Sequence, residues 1–177
     1  METLTKHSIV KYGDPILRKV VEPVKVVTPE LVKLTDVMLE VMHEAHGVGL
    51  AANQIALDLA VAVVGYRETV LRMFNPRIVE RSAEAQVYGE GCLSVPGVDG
   101  DVKRAVEVRA AWTDENGQAQ ERRFTGHLAR IVQHEVDHLN GIVIVNHFSM
   151  VARTLHRKLL DGLLAEAKAA ARRRTPK

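Results

Sequence analysis

No stretch of this 177-residue chain is apolar enough for long enough to span a bilayer, which excludes the membrane-spanning helical classes. The opening METLTKHSIV has neither the apolar core nor the small-residue cleavage site of a secretory signal, and it lacks the Arg- and Ser-rich character of an organelle transit peptide. The expected compartment is the cytoplasm. Cysteine is nearly absent. Cys92 stands alone, so an internal disulfide, and with it a small stapled secreted scaffold, is excluded. Internal repeats, low-complexity stretches and Pro/Gly/Ser linkers are missing as well. The chain therefore reads as a single domain over residues 1–177, with a basic C-terminal helix and tail from about 149. Hydrophobic residues make up 46% and charged residues 26%, a soluble globular composition and not a disordered one.

Charge is unevenly spread. Residues 153–177 hold eight Lys or Arg against Asp161 and Glu166, so the remainder carries a net negative charge under a total of +2. A basic tail of this kind is either a solvated helix face or a contact for nucleic acid or a ribonucleoprotein.

The pattern of elements is α+β, with antiparallel or mixed sheets around a central helix and a further helix at the C-terminus. Thr28-Pro29 opens a helix with Thr28 as cap and proline at its first position. Leu31, Leu34, Met38, Val41, Met42 and Ala45 follow at helical spacing, up to Gly47. Residues 59–66 and 70–74 read as strands, with Asn75-Pro76 as punctuation and Ile78-Val79 as a continuation. Residues 105–112 and 118–124 read as a hairpin around Asn116-Gly117. A second helix covers 127–139 and closes at Asn140-Gly141. Residues 142–145 read as a short strand, and a third helix runs from Ser149 to about Ala171.

Chemistry enters with His134-Glu135-Val136-Asp137-His138. On a helix, histidines four apart project from one face and can share a metal ion. Glu135 can then reach a water on that ion without occupying a coordination position, which suits a general base. The similar run His43-Glu44-Ala45-His46 has its histidines three apart at a helix end, where dipole and solvent account for them. A catalytic metal site usually has three protein ligands and an open position. His147, His156 and Glu166 lie downstream without helpful context. Cys92 lies upstream and is open to three readings: buried small hydrophobe, reactive thiol or ligand.

Three segments settle the choice by resemblance. GVGLAANQ (47–54), EGCLSVPG (90–97) and QHEVDHLNG (133–141) occur in the order and at the spacing of the signature segments of peptide deformylases, and GDPILR (13–18) resembles that family's N-terminal segment. The resemblance covers roughly residues 8–147. It implies removal of the N-formyl group from the first methionine of newly made polypeptides in the bacterial cytoplasm. It also implies Cys92, His134 and His138 as ligands of one divalent metal, Fe²⁺ in the cell, with Zn²⁺ or Ni²⁺ possible in purified protein. Glu135 is then the general base and acid, and Gln54 and the Leu93 N–H stabilise the oxyanion. The substrate peptide adds as a strand near Val48, Gly49 and Gly91, while Val48 and Ile131 line the methionine pocket. His127 and Arg130 depart from the family pattern, which has apolar residues near that pocket. No role is assigned to residues 98–103. A ribosomal contact through Arg172, Arg173 and Arg174 is expected from the basic tail, with no sequence-specific nucleic acid and no membrane as partner.

Two other classes of protein use parts of this pattern. A zinc endopeptidase shares HExxH but takes a different third ligand. A non-catalytic binder of chain N-termini would not need Glu135.

Overall fold

The computed structural model describes Thr5 and residues 8–174, with side chains up to Ala170. Helix α1 spans Pro29–Glu44, and the Thr28 hydroxyl accepts the Leu31 N–H at its start. Its inner face is Thr35, Met38, Leu39, Val41 and Met42. Strands follow at β1 Gly49–Ala51, β2 Val61–Tyr66, β3 Thr69–Arg81, β4 Ala85–Glu90, β5 Gly100–Ala105, β6 Glu107–Thr113 and β7 Ala119–Thr125. Helix α2 is Gly126–Leu139, α3 is Met150–Leu155 and α4 is Arg157–Arg174. A five-stranded antiparallel sheet has the order β1-β2-β3-β6-β7, and β4 and β5 form a separate antiparallel pair. The α+β expectation, with sheets around the HExxH helix, is met.

The continuous apolar run of β2 follows from burial on both faces. Val61 and Val63 join Met38, Met42, Leu50 and Phe74 on the α1 side. Val64 joins Met73, Trp112, Phe124, Ala129 and Val132 on the α2 side. Successive side chains alternate across a strand, so a run covered on both sides has no polar positions to spare. Each such side chain removed from water stabilises the fold by about 1.5–3 kcal/mol. A third cluster joins Val95, Val98, Val102, Ile144 and Phe148 to Leu160 and Leu163, which dock α4. Among the described residues, no helix is long and apolar enough to cross a membrane.

The structure departs from the sequence reading in several places, among them β1 at Gly49–Ala51, where no strand was expected. Asn75-Pro76 does not end a strand: β3 runs through it with irregular register against β6 between Phe74 and Arg77. Proline is tolerated at such a bulge. Asn75 takes φ 53° there, and its side chain bonds both backbone groups of Val24, at 2.7 and 2.8 Å. The β4–β5 pair has no counterpart among the expected strands. Residues 142–145 are no strand; Ile144–Asn146 is a 3-10 turn, with the Asn146 carboxamide accepting the Val143 N–H. Ile144 and Val145 are buried, and a short buried apolar run has no period by which to distinguish strand from turn. The last helix is two segments that meet at His156, whose ring lies 6.2 Å from that of Phe148.

Candidate metal centre and active site

Helix α2 presents His134 and His138 one turn apart, with ring centroids 4.9 Å from each other. The turn after β4 brings Cys92 over them, its Sγ 3.2 Å from His138 Nε2. The ligand atoms of Cys92, His134 and His138 lie within 4.8 Å of one another, and this is the one such group among the described residues. A thiolate and two imidazoles at that spacing fit a borderline divalent ion and leave room for a fourth ligand.

Around these donors is a second layer of charge. His134 Nδ1 lies 3.1 Å from Glu90 Oε2, which leaves Nε2 for the site. Glu90 also accepts both Nε and Nη2 of Arg104 at 2.9 Å, and Nη1 of Arg130 at 2.6 Å. Arg104 reaches on to Asp137 at 2.5 Å, and His147 lies 2.8 Å from the same carboxylate oxygen. Burial alone would raise the Glu90 carboxyl; the bonds from His134 and Arg104 override it and hold the group well below the usual range. Burial disfavours charge on His134, but Cys92 and Glu90 outweigh it and shift the ring upward. His138 is driven downward by burial, with His134 adding to the effect.

Glu135 is 3% exposed. Burial pushes its carboxyl up to about 7, against the pull of His134 and Arg104. Such a value suits proton transfer near neutral pH. Its carboxylate lies against Gly49 of β1. A Cβ at Gly49 would overlap Glu135 Oε1 and fall 2.8 Å from Cδ. Gln54 is in the 3-10 turn Ala52–Ile55 after β1. Its Oε1 accepts the Ala51 N–H at 2.9 Å, and Nε2 lies 3.7 Å from Cys92 Sγ and 3.3 Å from Ser94 Oγ. The N-terminal segment ties these loops together. The Val10 N–H donates to Gln54 O at 2.8 Å, Lys11 Nζ to Leu93 O at 3.2 Å, and the Tyr12 N–H to Ser94 O at 2.7 Å.

A cavity of about 360 Å³ opens on this assembly. Val48, Gly49, Gly91, Leu93, Ile131 and Glu135 line it, together with His46, His127 and Arg130.

The Polypeptide deformylase family model matches residues 6–154. The chain belongs to the peptide deformylase family. A peptide deformylase of Carboxydothermus hydrogenoformans is 42% identical over 147 residues, 83% of this chain and 96% of the relative. The crystal structure of the Thermus thermophilus peptide deformylase superposes with a TM-score of 0.86 at 37% identity, covering 90% of this chain and 98% of that one. A Met-Ala-Ser-bound peptide deformylase of Acinetobacter baumannii superposes at 0.76 with 38% identity, covering 79% and 96%. As a member of this metal-dependent family, the chain is a hydrolase that removes the N-formyl group from nascent polypeptides.

For a deformylase the sequence reading left out several parts of the site. Glu90 is inside the EGCLSVPG segment, but nothing in that segment marks it as the group that orients His134. Arg104 and Asp137 also escape a sequence reading, because nothing in spacing pairs an arginine with acids 14 and 33 residues away. His46, read as a surface histidine, is exposed at the cavity rim with φ 57°. His147, without context as a ligand candidate, is partnered by Asp137. The side chains of Arg172, Arg173 and Arg174 lie outside the described residues.

Proposed function

We propose that Cys92, His134 and His138 hold one divalent metal ion beside which Glu135 moves the protons of deformylation. The observation that supports this reading is the convergence of the three donor atoms within 4.8 Å, next to a carboxylate pushed up to about 7 by burial. When bound, the ion supplies Lewis-acid activation of water and of the formyl oxygen. Glu135 accepts a proton from the attacking water and returns it to the leaving amine, giving formate and a free N-terminus. The Gln54 carboxamide and the Leu93 N–H donate to the formyl oxygen as charge develops on it. β1 is an edge strand of the five-stranded sheet, so a peptide can pair with backbone at Val48 and Gly49 while Gly91 faces it from the other side of the cavity. Val48 and Ile131 are the apolar contacts for the first side chain. That a relative binds Met-Ala-Ser supports this placement.

The deciding experiment is formate release from a formyl-Met peptide, with metal content measured on the same samples. Glu135→Ala should keep its metal and lose about 10²- to 10⁴-fold in kcat. Full turnover in that variant would remove Glu135 from the mechanism. Cys92→Ala should lose the metal, whereas an endopeptidase with another third ligand would retain it.

Fe²⁺ is the proposed resident ion, since thiolate and imidazole suit iron as well as zinc or nickel. Anaerobic purification followed by metal analysis checks it; full activity with zinc alone overturns it. The cytoplasm of a bacterium is the proposed compartment, and one catalytic domain the proposed organisation. The ribosome is the proposed docking partner of the C-terminal helix, on the strength of its basic charge. Co-sedimentation that weakens with salt and with removal of the tail supports that partner; binding indifferent to both overturns it.

A further inference from the structure

His134 is oriented by Glu90, but no carboxylate does the same for His138. The Nδ1 of His138 is buried and has no hydrogen-bond partner among the described residues. A ring that binds a metal through one nitrogen is ordinarily steered through the other, so the steering of His138 falls to its backbone. His138 is on the last turn of α2, where carbonyls lack a partner within the helix. Its carbonyl accepts the Gly141 N–H at 3.0 Å and, from a distant part of the chain, the side-chain amide of Asn53. Asn53 is 0% exposed, and its Oδ1 has no partner among the described residues. A carboxamide is costly to bury half satisfied, and the bond this one makes is to His138.

We infer that Asn53 is a positioning residue of the metal centre: its carboxamide sets the last turn of α2, and with it the ring of His138, against the turn that carries Gln54. The inference rests on the metal site proposed above. Asn53 and Gln54 are consecutive in the 3-10 turn Ala52–Ile55. With about three residues per turn, their side chains leave the backbone roughly 120° apart. Gln54 reaches Cys92 and Ser94, while Asn53 reaches the end of α2. One short turn therefore touches both the loop of the thiol and the helix of the second imidazole. The turn is itself held by the Val10 N–H, which donates to Gln54 O at 2.8 Å. Without the Asn53 amide, the His138 carbonyl keeps partners local to the helix end, and nothing ties it to the turn of Gln54. The last helical turn is then free to rotate, which moves His138 Nε2 against Cys92 Sγ, 3.2 Å away.

The test measures Zn²⁺ affinity by chelator competition on reduced, metal-free wild type, Asn53→Ala, Asn53→Ser and Leu39→Ala, at a temperature where circular dichroism shows each to be folded. Serine keeps a donor but is too short to reach the carbonyl. Leu39 is buried in the apolar cluster of α1, so trimming it lowers stability through a cavity and controls for a purely structural loss. Removing an outer partner of a metal ligand costs about 10- to 100-fold in metal affinity. Both Asn53 variants should therefore bind Zn²⁺ at least tenfold more weakly, with Leu39→Ala within twofold of wild type. Losses smaller than tenfold in the Asn53 variants, or a loss equalled by Leu39→Ala, overturn the inference. If neither Asn53 variant folds, isotope-labelled wild type decides by NMR. Its Asn53 side-chain amide signals should be protected from solvent exchange and should shift when Zn²⁺ is added; signals that exchange freely or ignore the ion overturn the inference. Wild type that binds no Zn²⁺ overturns the reading of the metal site itself; wild type that binds it, with variants of equal affinity, overturns only the part given to Asn53.

Discussion

Gly49 and Glu135 come from different elements, and the absence of a side chain on one makes room for the other. The Glu135 carboxylate fills the space that a Cβ on residue 49 would occupy. Gly49 has no positive φ, so alanine would be tolerated by its own backbone and the conflict falls on the carboxylate. Displacing a catalytic group by about 1 Å costs on the order of 10²-fold in rate. Gly49→Ala should therefore fold and bind metal as the parent does while losing about that factor in kcat. An unchanged kcat would show that the close approach has no part in placing Glu135. Glu90 works on the same scale, holding His134 by its Nδ1 while two arginines hold Glu90. The orientation of the His134 ring is thus set by an ion-pair network and not by the helix alone.

At the scale of elements, the β6–β7 hairpin shows how a turn is secured. Asp114 Oδ1 accepts the N–H groups of Asn116 and Gln118 at 2.9 Å, Oδ2 accepts Gln120 Nε2 at 2.6 Å, and Gly117 takes φ 76°. The bond from the Gln118 N–H, with help from Gln120 and Asn116, holds the Asp114 carboxyl below its ordinary value. A carboxyl lowered on folding contributes stability above its unfolded pKa of about 3.9, and loses it as pH falls through the folded value. Asp114→Ala should melt lower than wild type at pH 7, with the gap closing as pH drops below about 4. A gap independent of pH would assign the effect to something other than this ionised side chain. This hairpin was legible in the sequence because Asn116-Gly117 is a backbone signal. Helices α1 and α2 were legible through their caps and apolar spacing. The β4–β5 pair was not. Val87 and Tyr88 are more than half exposed, and the buried positions include Glu90 and Arg104. An ion pair occupies the place of the apolar alternation that marks a strand. The donors Cys92, His134 and His138 could be named from spacing and resemblance, but the network of Glu90, Arg104, Arg130 and Asp137 exists only in the folded chain.

Over the whole molecule, the site is assembled from β1, the turn after it, the loop after β4 and α2. A cation held by Cys92 and two α2 histidines would cross-link that loop to the central helix. A ligand that binds only the folded chain stabilises it by about 2.7 kcal/mol at a hundred times its dissociation constant. For a chain of this size that corresponds to roughly 5–10 °C in Tm. Chelation should lower Tm by such an amount and reduce deformylation together, and readdition of metal should restore both. A melting point insensitive to metal would separate the ion from the fold. The segment Val10–Tyr12 complements that cross-link. It contains none of the proposed reacting groups, yet its backbone and Lys11 fasten the Gln54 turn to the loop of Cys92, Leu93 and Ser94. Those two pieces are therefore moored to a common strap, which fixes the gap between amide and sulfur from outside the cavity. Severing it would leave every reacting side chain in the polypeptide and take away the gauge that spaces them.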